Sequence, residues 1–435
     1  MLYSSNKKGI PLFMSFFLFV LSYCFVNFSF AQQPTVNADS VLKTDSVTQK
    51  FYAINHASLY WLSSRKDAER AKEWLTAIET AKKSGIVSKK LMTSQVRTAM
   101  LAKNTRDRVL KANTDKQITS LVLYFIKELL EVNAHFEYDG LSSHPSDSVY
   151  IHHLMDSKGK GPVSDIISKL DCQDRDYQIL KNFMRDSIKG TDSLKYKKIA
   201  MAMSYLKYLS INKQSEYIVV NIPETEARYY QKGQLKLKMK IVAGKKKNPT
   251  PTIASYITDI VTFPYWNVPF SIASKELLPK VQKDESYLER NNFEVVDAKG
   301  NFVDDSDLNW DSYTEKTFPY FFRESTGPNN SLGVLKFYLQ NPFSIYLHDT
   351  NSKGAFAKDY RFLSHGCIRL EKPIELADLL TRGNIDDREL KTGKKDTESK
   401  TIKLDRKVQV FIVYMPVTVE DQKVTFLNDI YNLVK

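Results

Sequence analysis

A six-residue stretch indicates the fold and the chemistry of the C-terminal half: Ser364-His365-Gly366-Cys367-Ile368-Arg369. Its glycine frees the backbone just before a cysteine, which lets nearby N–H groups face a developing oxyanion. A thiol is a poor nucleophile until it loses its proton, so it needs an imidazole, a positive neighbour or a helix N-terminus nearby. Pro373 and the apolar run after it predict such a helix shortly beyond Cys367. The stretch therefore indicates a cysteine nucleophile.

A histidine that can serve this cysteine lies at the end of the preceding apolar strand. His348 follows Ile345-Tyr346-Leu347, and a side chain at a strand end can project into a cleft. Tyr346 lies two residues earlier and therefore on the same face of the strand, where it can line the cleft or support an oxyanion hole. The pattern predicts His348 as the general acid and base.

Each of these residues also has an ordinary interpretation. Cys172 and Cys367 could form one disulfide in an oxidising compartment. His348, His365 and Cys367 could hold zinc with one open position. Ser364 lacks a base of its own, so we expect its hydroxyl to hydrogen-bond the loop. The joint occurrence of the His, Gly and Cys favours the catalytic interpretation over both the disulfide and the metal.

Upstream of residue 216 the pattern is helical, and downstream it is typical of strands. One clear helix carries Ile118, Val122 and Phe125 at three- and four-residue spacing, and Thr114 or Asp115 is a suitable cap. A β-branched run begins at Tyr217. We therefore predict an α+β chain in which an all-helical unit, 51–212, precedes a β-rich unit, 216–431. A polar segment at about 280–320 is predicted to be an excursion inserted between strands.

The N-terminus predicts export. Two lysines, Lys7 and Lys8, precede an apolar run that ends near Ala31, which is the pattern of a signal peptide over 1–31. The alternative is an uncleaved anchor that would hold the protein at the membrane. A polar stretch, 32–50, is predicted to be a flexible tether. The expected location is therefore the periplasm or cell envelope.

The charge of the chain limits its partners. Formal net charge is +13 and 42% of the residues are hydrophobic. This surplus favours acidic or polyanionic surroundings. No basic stripe interleaved with aromatics is present, and an exported chain has little access to nucleic acid, so we expect no nucleic-acid partner. Cell-wall polymers and anionic membrane surfaces fit better.

Taken together, these motifs resemble a known family. The pair His348-Asp349, a variable loop and the Ser-His-Gly-Cys core look like the YkuD-type catalytic domain of L,D-transpeptidases. The stretches Trp266-Asn267-Val268-Pro269 and Gly327-Pro328-Asn329-Asn330-Ser331-Leu332-Gly333 resemble the larger subclass that carries a helical scaffold domain. The resemblance implies a β-sandwich-like catalytic domain behind that scaffold.

The family also implies an activity and a set of site residues. Cys367 would form a thioester with the third residue of a tetrapeptide stem of peptidoglycan, and an amine of a second stem would then take the acyl group, giving a 3-3 cross-link. His348 would move the protons, oriented by the backbone carbonyl of Asp349. Oxyanion or loop support is expected from Gly366, His365, Ser364, Tyr346 and Asp349, and substrate binding from Arg369, Tyr338 and Asn330. No metal or organic cofactor is needed, and carbapenems are expected to acylate the cysteine.

Three alternatives remain open at this level. Water as the acceptor would make the enzyme an L,D-carboxypeptidase, and a protein lysine would make it an enzyme that anchors proteins to peptidoglycan. A non-catalytic wall-binding scaffold is the third. For Arg369, the sequence favours a structural role, holding the loop through backbone carbonyls, slightly over pairing with a substrate carboxylate.

Overall fold

The computed structural model describes residues 45–83, 97, 107–132, 134–141, 145–187 and 192–435. Their helices before residue 213 are α1 (Ser46–Ile54), α2 (Arg65–Lys83), α3 (Arg108–Leu130), α4 (Asp147–Asp156), α5 (Val163–Leu170), α6 (Arg175–Ser187) and α7 (Ser193–Asn212). The predicted order of a helical region and then a β-rich domain is confirmed. Helix α1 begins inside the predicted tether, because the side chain of Asp45 accepts a hydrogen bond from the Thr48 N–H and caps it.

Helices α1 to α5 enclose a core of their own around the fully buried Trp74 and Phe125. The predicted cap of α3 was wrong. The helix begins one turn or more earlier, where the carboxylate of Asp107 accepts hydrogen bonds from two N–H groups of the first turn. Asp115 is buried inside the helix and instead accepts hydrogen bonds from the backbone N–H groups of residues 60–62, at 2.8–2.9 Å.

The main sheet consists of strands scattered along the chain. They are β1 (Tyr138–Asp139), β2 (Glu216–Asn221), β3 (Glu226–Gln231), β4 (Gln234–Gly244), β5 (Ile253–Thr262), and, after the insertion described below, β10 (Leu335–Leu339), β11 (Leu347–His348), β12 (Phe362–Ser364), β13 (Ile368–Leu370) and β14 (Lys400–Val413). The order is β1-β5-β10-β11-β13-β4-β3-β2-β14, and β14 also pairs with β5. The sheet therefore closes on itself, which removes the exposed edges that an open sheet would leave.

The core of this closed sheet extends into the helical region. Fully buried residues of the sheet, such as Ile218 and Phe411, belong to one apolar cluster with Leu180 of α6 and Ile199 of α7. The cluster continues under the helix Pro373–Thr381. Packing thus places α6 and α7 with the β-rich domain, although the sequence pattern groups them with the helices before them.

The segment between β5 and β10 is a folded unit rather than the polar excursion predicted at 280–320. It contains α8 (Phe270–Ile272), a π-helical turn (Ala273–Leu277), α9 (Leu278–Lys283), α10 (Tyr287–Arg290) and the strands β6 (Trp266–Asn267), β7 (Phe293–Val296), β8 (Phe302–Val303) and β9 (Phe321–Glu324). Its own apolar core includes Val281, Trp310 and Phe322. Below, this unit is called the inserted subdomain. The chain ends with α11 (Pro373–Thr381), α12 (Asp387–Thr392) and the hairpin β15 (Val417–Glu420) and β16 (Lys423–Phe426).

The predicted signal peptide, 1–31, and most of the predicted tether lie outside the described residues. Among the helices that the structure does describe, none is long and apolar enough to cross a bilayer.

Candidate active site

Cys367 lies in the short turn that joins β12 to β13. Gly366 before it has a φ of +121°, a conformation that side chains rarely adopt, and a Cβ there would come within 3.3 Å of Ile345 Cδ1. The hydroxyl of Ser364 donates to the Cys367 carbonyl at 2.6 Å and accepts from the Gly366 N–H at 3.1 Å. The Thr250 hydroxyl donates to the Gly366 carbonyl at 2.7 Å. The turn is therefore held rigidly by hydrogen bonds on both sides.

Strand register brings His348 to this turn. Strands β11 and β13 run parallel, with Leu347 opposite Ile368 and His348 opposite Arg369. Leu347 and Ile368 are fully buried in the core. Since side chains alternate along a strand, the other face of these two strands carries His348 and Arg369. Tyr346 and Cys367, each two residues before one of these, extend the same face, so that the predicted acid and base and the predicted nucleophile share one cleft.

The thiol of Cys367 is protonated in this environment. Burial raises its pKa, and hydrogen bonding from the backbone and hydroxyl of Tyr346, together with the charges of Lys336 and Arg369, offsets only part of that rise. The Sγ atom lies 3.8 Å from the Ser344 carbonyl oxygen, to which a thiol can donate. The predicted help from a helix is absent, because β13 intervenes and α11 begins only at Pro373, beyond the reach of its first turn.

The imidazole of His348 is buried and neutral. Burial, with the positive charges of Arg369 and Lys336, lowers its pKa to about 3. The backbone of Asp349 acts in the opposite direction and raises the pKa. The ring atom Nδ1 is buried without a hydrogen-bond partner among the described residues, so orientation of the ring by the Asp349 carbonyl stays a prediction. A neutral imidazole can accept the proton that the thiol must lose.

Tyr346 borders both groups. Its ring centroid lies 5.5 Å from that of His348 in an edge-on arrangement, and its hydroxyl and backbone are the hydrogen-bonding groups that lower the pKa of Cys367. Burial raises the pKa of the phenol itself, so it stays protonated and can donate. Tyr346 therefore lines the cleft beside Cys367 and His348, and its part in an oxyanion hole stays a prediction.

The carboxylate of Asp349 supports the fold and does not face the thiol. One oxygen accepts from the Val334 N–H at 3.0 Å and the other pairs with Lys353. Gly333 makes room for it, because a Cβ at that position would lie 2.3 Å from Asp349 Oδ2. Asp349 therefore fixes the start of β10 against the end of β11.

His365 contacts the inserted subdomain. Its Nε2 lies 2.9 Å from Glu276 Oε1 in the inserted subdomain and 3.2 Å from Lys245 Nζ. Within the described chain, no group of three His, Cys, Asp or Glu side chains is placed to hold a metal. Cys172 and Cys367 are both free thiols.

The three predicted substrate-binding residues differ in their surroundings. Asn330 was assigned wrongly: its amide donates to the carbonyls of Glu324 and Ser325 and accepts from the Leu332 N–H, so a buried loop uses all its polar atoms. Tyr338 is 54% exposed on β10 and is free to contact a ligand. Arg369 does not hold the loop, since within the described residues its guanidinium makes no hydrogen bond and its Nε is buried without a partner.

Lys336 was missed by sequence reasoning. It lies on β10 directly opposite His348, and its Nζ lies 4.1 Å from the centroid of the Tyr346 ring. The available signal was a single lysine inside the apolar run Val334-Leu335-Lys336-Phe337, but lysines are common on exposed strand faces. Only the register shows that this one faces the cleft.

Comparisons with known proteins identify two domains in the chain. Residues 215–408 match the family model described as the L,D-transpeptidase catalytic domain, YkuD, and residues 46–184 match the model of a scaffold domain. The matched region defines the class of this part of the chain: residues 215–408 are a YkuD-type L,D-transpeptidase catalytic domain. More particularly, the chain combines this domain with a scaffold domain that precedes it.

The match to a curated relative covers only part of each protein. A curated protein of Haemophilus influenzae named "Putative L,D-transpeptidase" is 36% identical over 223 residues, which are 49% of this chain and 44% of that relative. The chain therefore spans a little under half of the relative it matches.

Solved structures are more distant. The catalytic domain from the E. faecium L,D-transpeptidase acylated by ertapenem is 13% identical, with a TM-score of 0.21 and coverage of 40% of this chain and 92% of that one. An L,D-transpeptidase from Mycobacterium smegmatis is 14% identical, with a TM-score of 0.19 and coverage of 46% and 58%. Similarity at this level does not assign the fold, which rests on the strands described above.

Proposed function

We propose that the protein is a peptidoglycan L,D-transpeptidase that forms 3-3 cross-links through a thioester on Cys367. The observation that carries this proposal is the register of β11 and β13, which puts the thiol of Cys367 and the imidazole of His348 on one face of adjacent strands. The catalytic-domain class supports it. The substrate class follows from the family: a tetrapeptide stem as donor and an amine of a second stem as acceptor.

In the first step the thiol attacks the carbonyl carbon of the third stem residue. A bond forms from Sγ to that carbon while the thiol proton passes to the neutral imidazole of His348. The resulting oxyanion needs hydrogen-bond donors. The Gly366 N–H is taken by Ser364, whereas the Cys367 N–H has no acceptor within the described chain. We assign the oxyanion to this N–H and to the Tyr346 hydroxyl.

The intermediate then breaks its carbon–nitrogen bond. His348 returns the proton to the leaving nitrogen, and a D-amino acid departs from the thioester. An amine of the second stem attacks the thioester carbon and gives a proton to His348. The carbon–sulfur bond breaks, and Sγ regains its proton from the imidazole. The cycle leaves the enzyme unchanged and replaces one amide by another, so no cofactor is required.

The same thiol is the site at which we expect β-lactams of the carbapenem type to react. The E. faecium catalytic domain has been solved acylated by ertapenem. Opening of the β-lactam ring by Sγ would add the whole inhibitor to Cys367, and this adduct would be absent from Cys367→Ala.

The test of the function is intact-mass spectrometry of the protein incubated with disaccharide-tetrapeptide, followed by analysis of the products. Wild type should carry a thioester adduct that Cys367→Ala lacks, and dimers joined between third residues should accumulate. Tripeptide without dimers would identify an L,D-carboxypeptidase. Transfer to a lysine of an added envelope protein would identify an anchoring enzyme, and no adduct at all would leave the wall-binding scaffold.

We also propose that the enzyme acts outside the cytoplasm, in the periplasm or cell envelope, where peptidoglycan is accessible. The charged and apolar pattern of 1–31 motivates this. Mass analysis of the protein recovered from the envelope fraction should find Gln32 as the first residue. An intact N-terminus in a membrane pellet would instead favour the uncleaved anchor, and recovery in the cytoplasm would contradict export.

A further inference from the structure

Three neighbouring strands carry a row of basic side chains across the cleft. Lys336 on β10 is paired with His348 on β11, and His348 is paired with Arg369 on β13. Adjacent strands lie about 4.8 Å apart, so the two cations begin roughly 10 Å apart with the imidazole between them. Both side chains are long enough to converge above the ring.

Neither cation has a counterion in the part of the chain that the structure describes. Lys336 makes no salt bridge or hydrogen bond there, and its Nζ faces the Tyr346 ring at 4.1 Å. The Nε of Arg369 is fully buried and unpaired. Burial lowers the pKa of both groups. Two partly buried and unpaired cations are unfavourable on their own, and an anion placed between them would remove that cost.

We propose that Lys336 and Arg369 together form a pocket for the terminal carboxylate of the residue that leaves the donor stem. This rests on the proposed function and specifies its substrate as a stem that ends one residue after the scissile amide. In such a stem the carboxylate is one carbon away from the leaving nitrogen. His348 must protonate that nitrogen and lies between the two cations, so the carboxylate comes within their reach.

The pocket also bears on the proton transfers. In the free protein the two positive charges act with burial to lower the pKa of His348, which weakens the imidazole as a base. A bound carboxylate offsets that positive potential. The imidazolium is therefore stabilised when the correct leaving group is in place, and the carboxylate stays ionised throughout.

Binding and acylation are measured separately. Affinity for disaccharide-tetrapeptide is determined by calorimetry on the Cys367→Ala protein, which cannot form the thioester, and acylation is followed by intact mass on proteins that keep the thiol. Each measurement uses three ligands built on a stem whose third residue carries a side-chain carboxylate: the tetrapeptide itself, its terminal carboxamide, and the tetrapeptide amidated only at that side chain. The variants are Lys336→Met, Arg369→Met and the double variant.

We expect the carboxylate ligand to bind about 10- to 100-fold more tightly than the terminal carboxamide. Either single variant should lose most of that preference, and the double variant should bind both ligands equally. Lys336→Arg keeps a charge and should restore part of the preference. Lys407→Met is the matched control, because Lys407 also lies over a tyrosine ring, 5.7 Å from that of Tyr256, but away from the row.

Several outcomes would overturn the pocket. A preference that survives in the double variant would place the carboxylate elsewhere. If amidation of the third residue's side chain weakens binding and amidation of the terminus does not, the two cations bind the side-chain carboxylate instead. If the carboxylate preference depends on both cations while no protein is ever acylated, the pocket stands and the proposed transpeptidase fails. Circular dichroism of each variant identifies any that does not fold, and Lys336→Arg then provides the decisive comparison.

Discussion

One face of strands β10, β11 and β13 is apolar and fully buried, whereas the opposite face carries the proposed chemistry. Leu335, Phe337, Leu347, Ile368 and Leu370 are each 0% exposed. The residues that alternate with them are Lys336, Tyr346, His348, Cys367 and Arg369. Both sets share one backbone and differ only by one position along the strand. Packing and reactivity can therefore be changed independently, and the following substitutions test that separation.

The largest expected effect is on activity and falls on the reactive face. Cys367→Ala removes the proposed nucleophile and should lower turnover by about 10⁴-fold or more. Its melting temperature should stay close to that of wild type. Cys172→Ala is the control, because Cys172 is the other free thiol and is buried near Ser210. Activity in Cys367→Ala, or its loss in a folded Cys172→Ala, would contradict the assignment.

The largest expected effect on stability falls on the buried face. Leu347→Ala should lower the free energy of unfolding by about 2–5 kcal/mol, since it removes a fully buried side chain and leaves a cavity. The neighbouring Tyr346→Phe should change stability by less than about 1 kcal/mol and lower turnover about 10- to 100-fold by removing an oxyanion donor. Urea unfolding and steady-state kinetics on both variants check this. If the two variants lose similar amounts of stability and of turnover, the two faces are not independent.

A smaller effect is expected at the turn between the two strands that hold the cysteine. Gly366→Ala places a Cβ at a φ of +121° and 3.3 Å from Ile345 Cδ1. The strain should cost about 1–3 kcal/mol of stability and displace the thiol, with a measurable fall in acylation rate. Gly354→Ala is the matched control, because a Cβ there meets nothing within 4 Å. Equal behaviour of the two variants would mean that the turn tolerates a side chain.

The last effect depends on pH. His348 has a pKa of about 3 in the folded protein, against an ordinary value of 6.5. Below pH 6.5 the unfolded chain binds a proton that the folded chain does not, so stability falls as pH decreases from 6.5 towards 3. The loss should be about 2 kcal/mol by pH 5. His348→Gln should lack this component when unfolding is compared at pH 7.5 and 5. Identical pH slopes for the two proteins would place the pKa of His348 near its ordinary value.

The proposed reactive residues could be named from the sequence because the pattern that suggests them is local. A glycine before a cysteine, a serine that can bond the same turn and a histidine at a strand end are all recognisable in a string of residues. The direction in which a polar side chain points cannot be recognised in this way. Asn330 was expected to bind substrate, but its amide is used by a loop, and His365 turns to Glu276 of the inserted subdomain. Hydrogen-bond satisfaction depends on neighbours that are distant in sequence.

The inserted subdomain and the buried Asp115 show that local sequence patterns also fail to predict parts of the fold. The core residues of the subdomain are spread from Val268 to Phe322 without a regular period, so the polar residues between them dominated the prediction. Asp115 looked like a helix cap because carboxylates often cap helices. Its actual partners are the N–H groups of residues 60–62, some fifty positions away, which no local pattern reveals.

By itself, the sequence determined the order of a helical and a β-rich region, the family resemblance and the alternation of apolar and polar residues along each strand. It also predicted Cys367 and His348 as the reactive pair. The tertiary structure alone decided the register that places Lys336 and Arg369 on either side of His348, and the burial that keeps both thiol and imidazole neutral. The physical reason is that alternation is a property of one strand, whereas register and desolvation arise only when strands distant in the chain pack together.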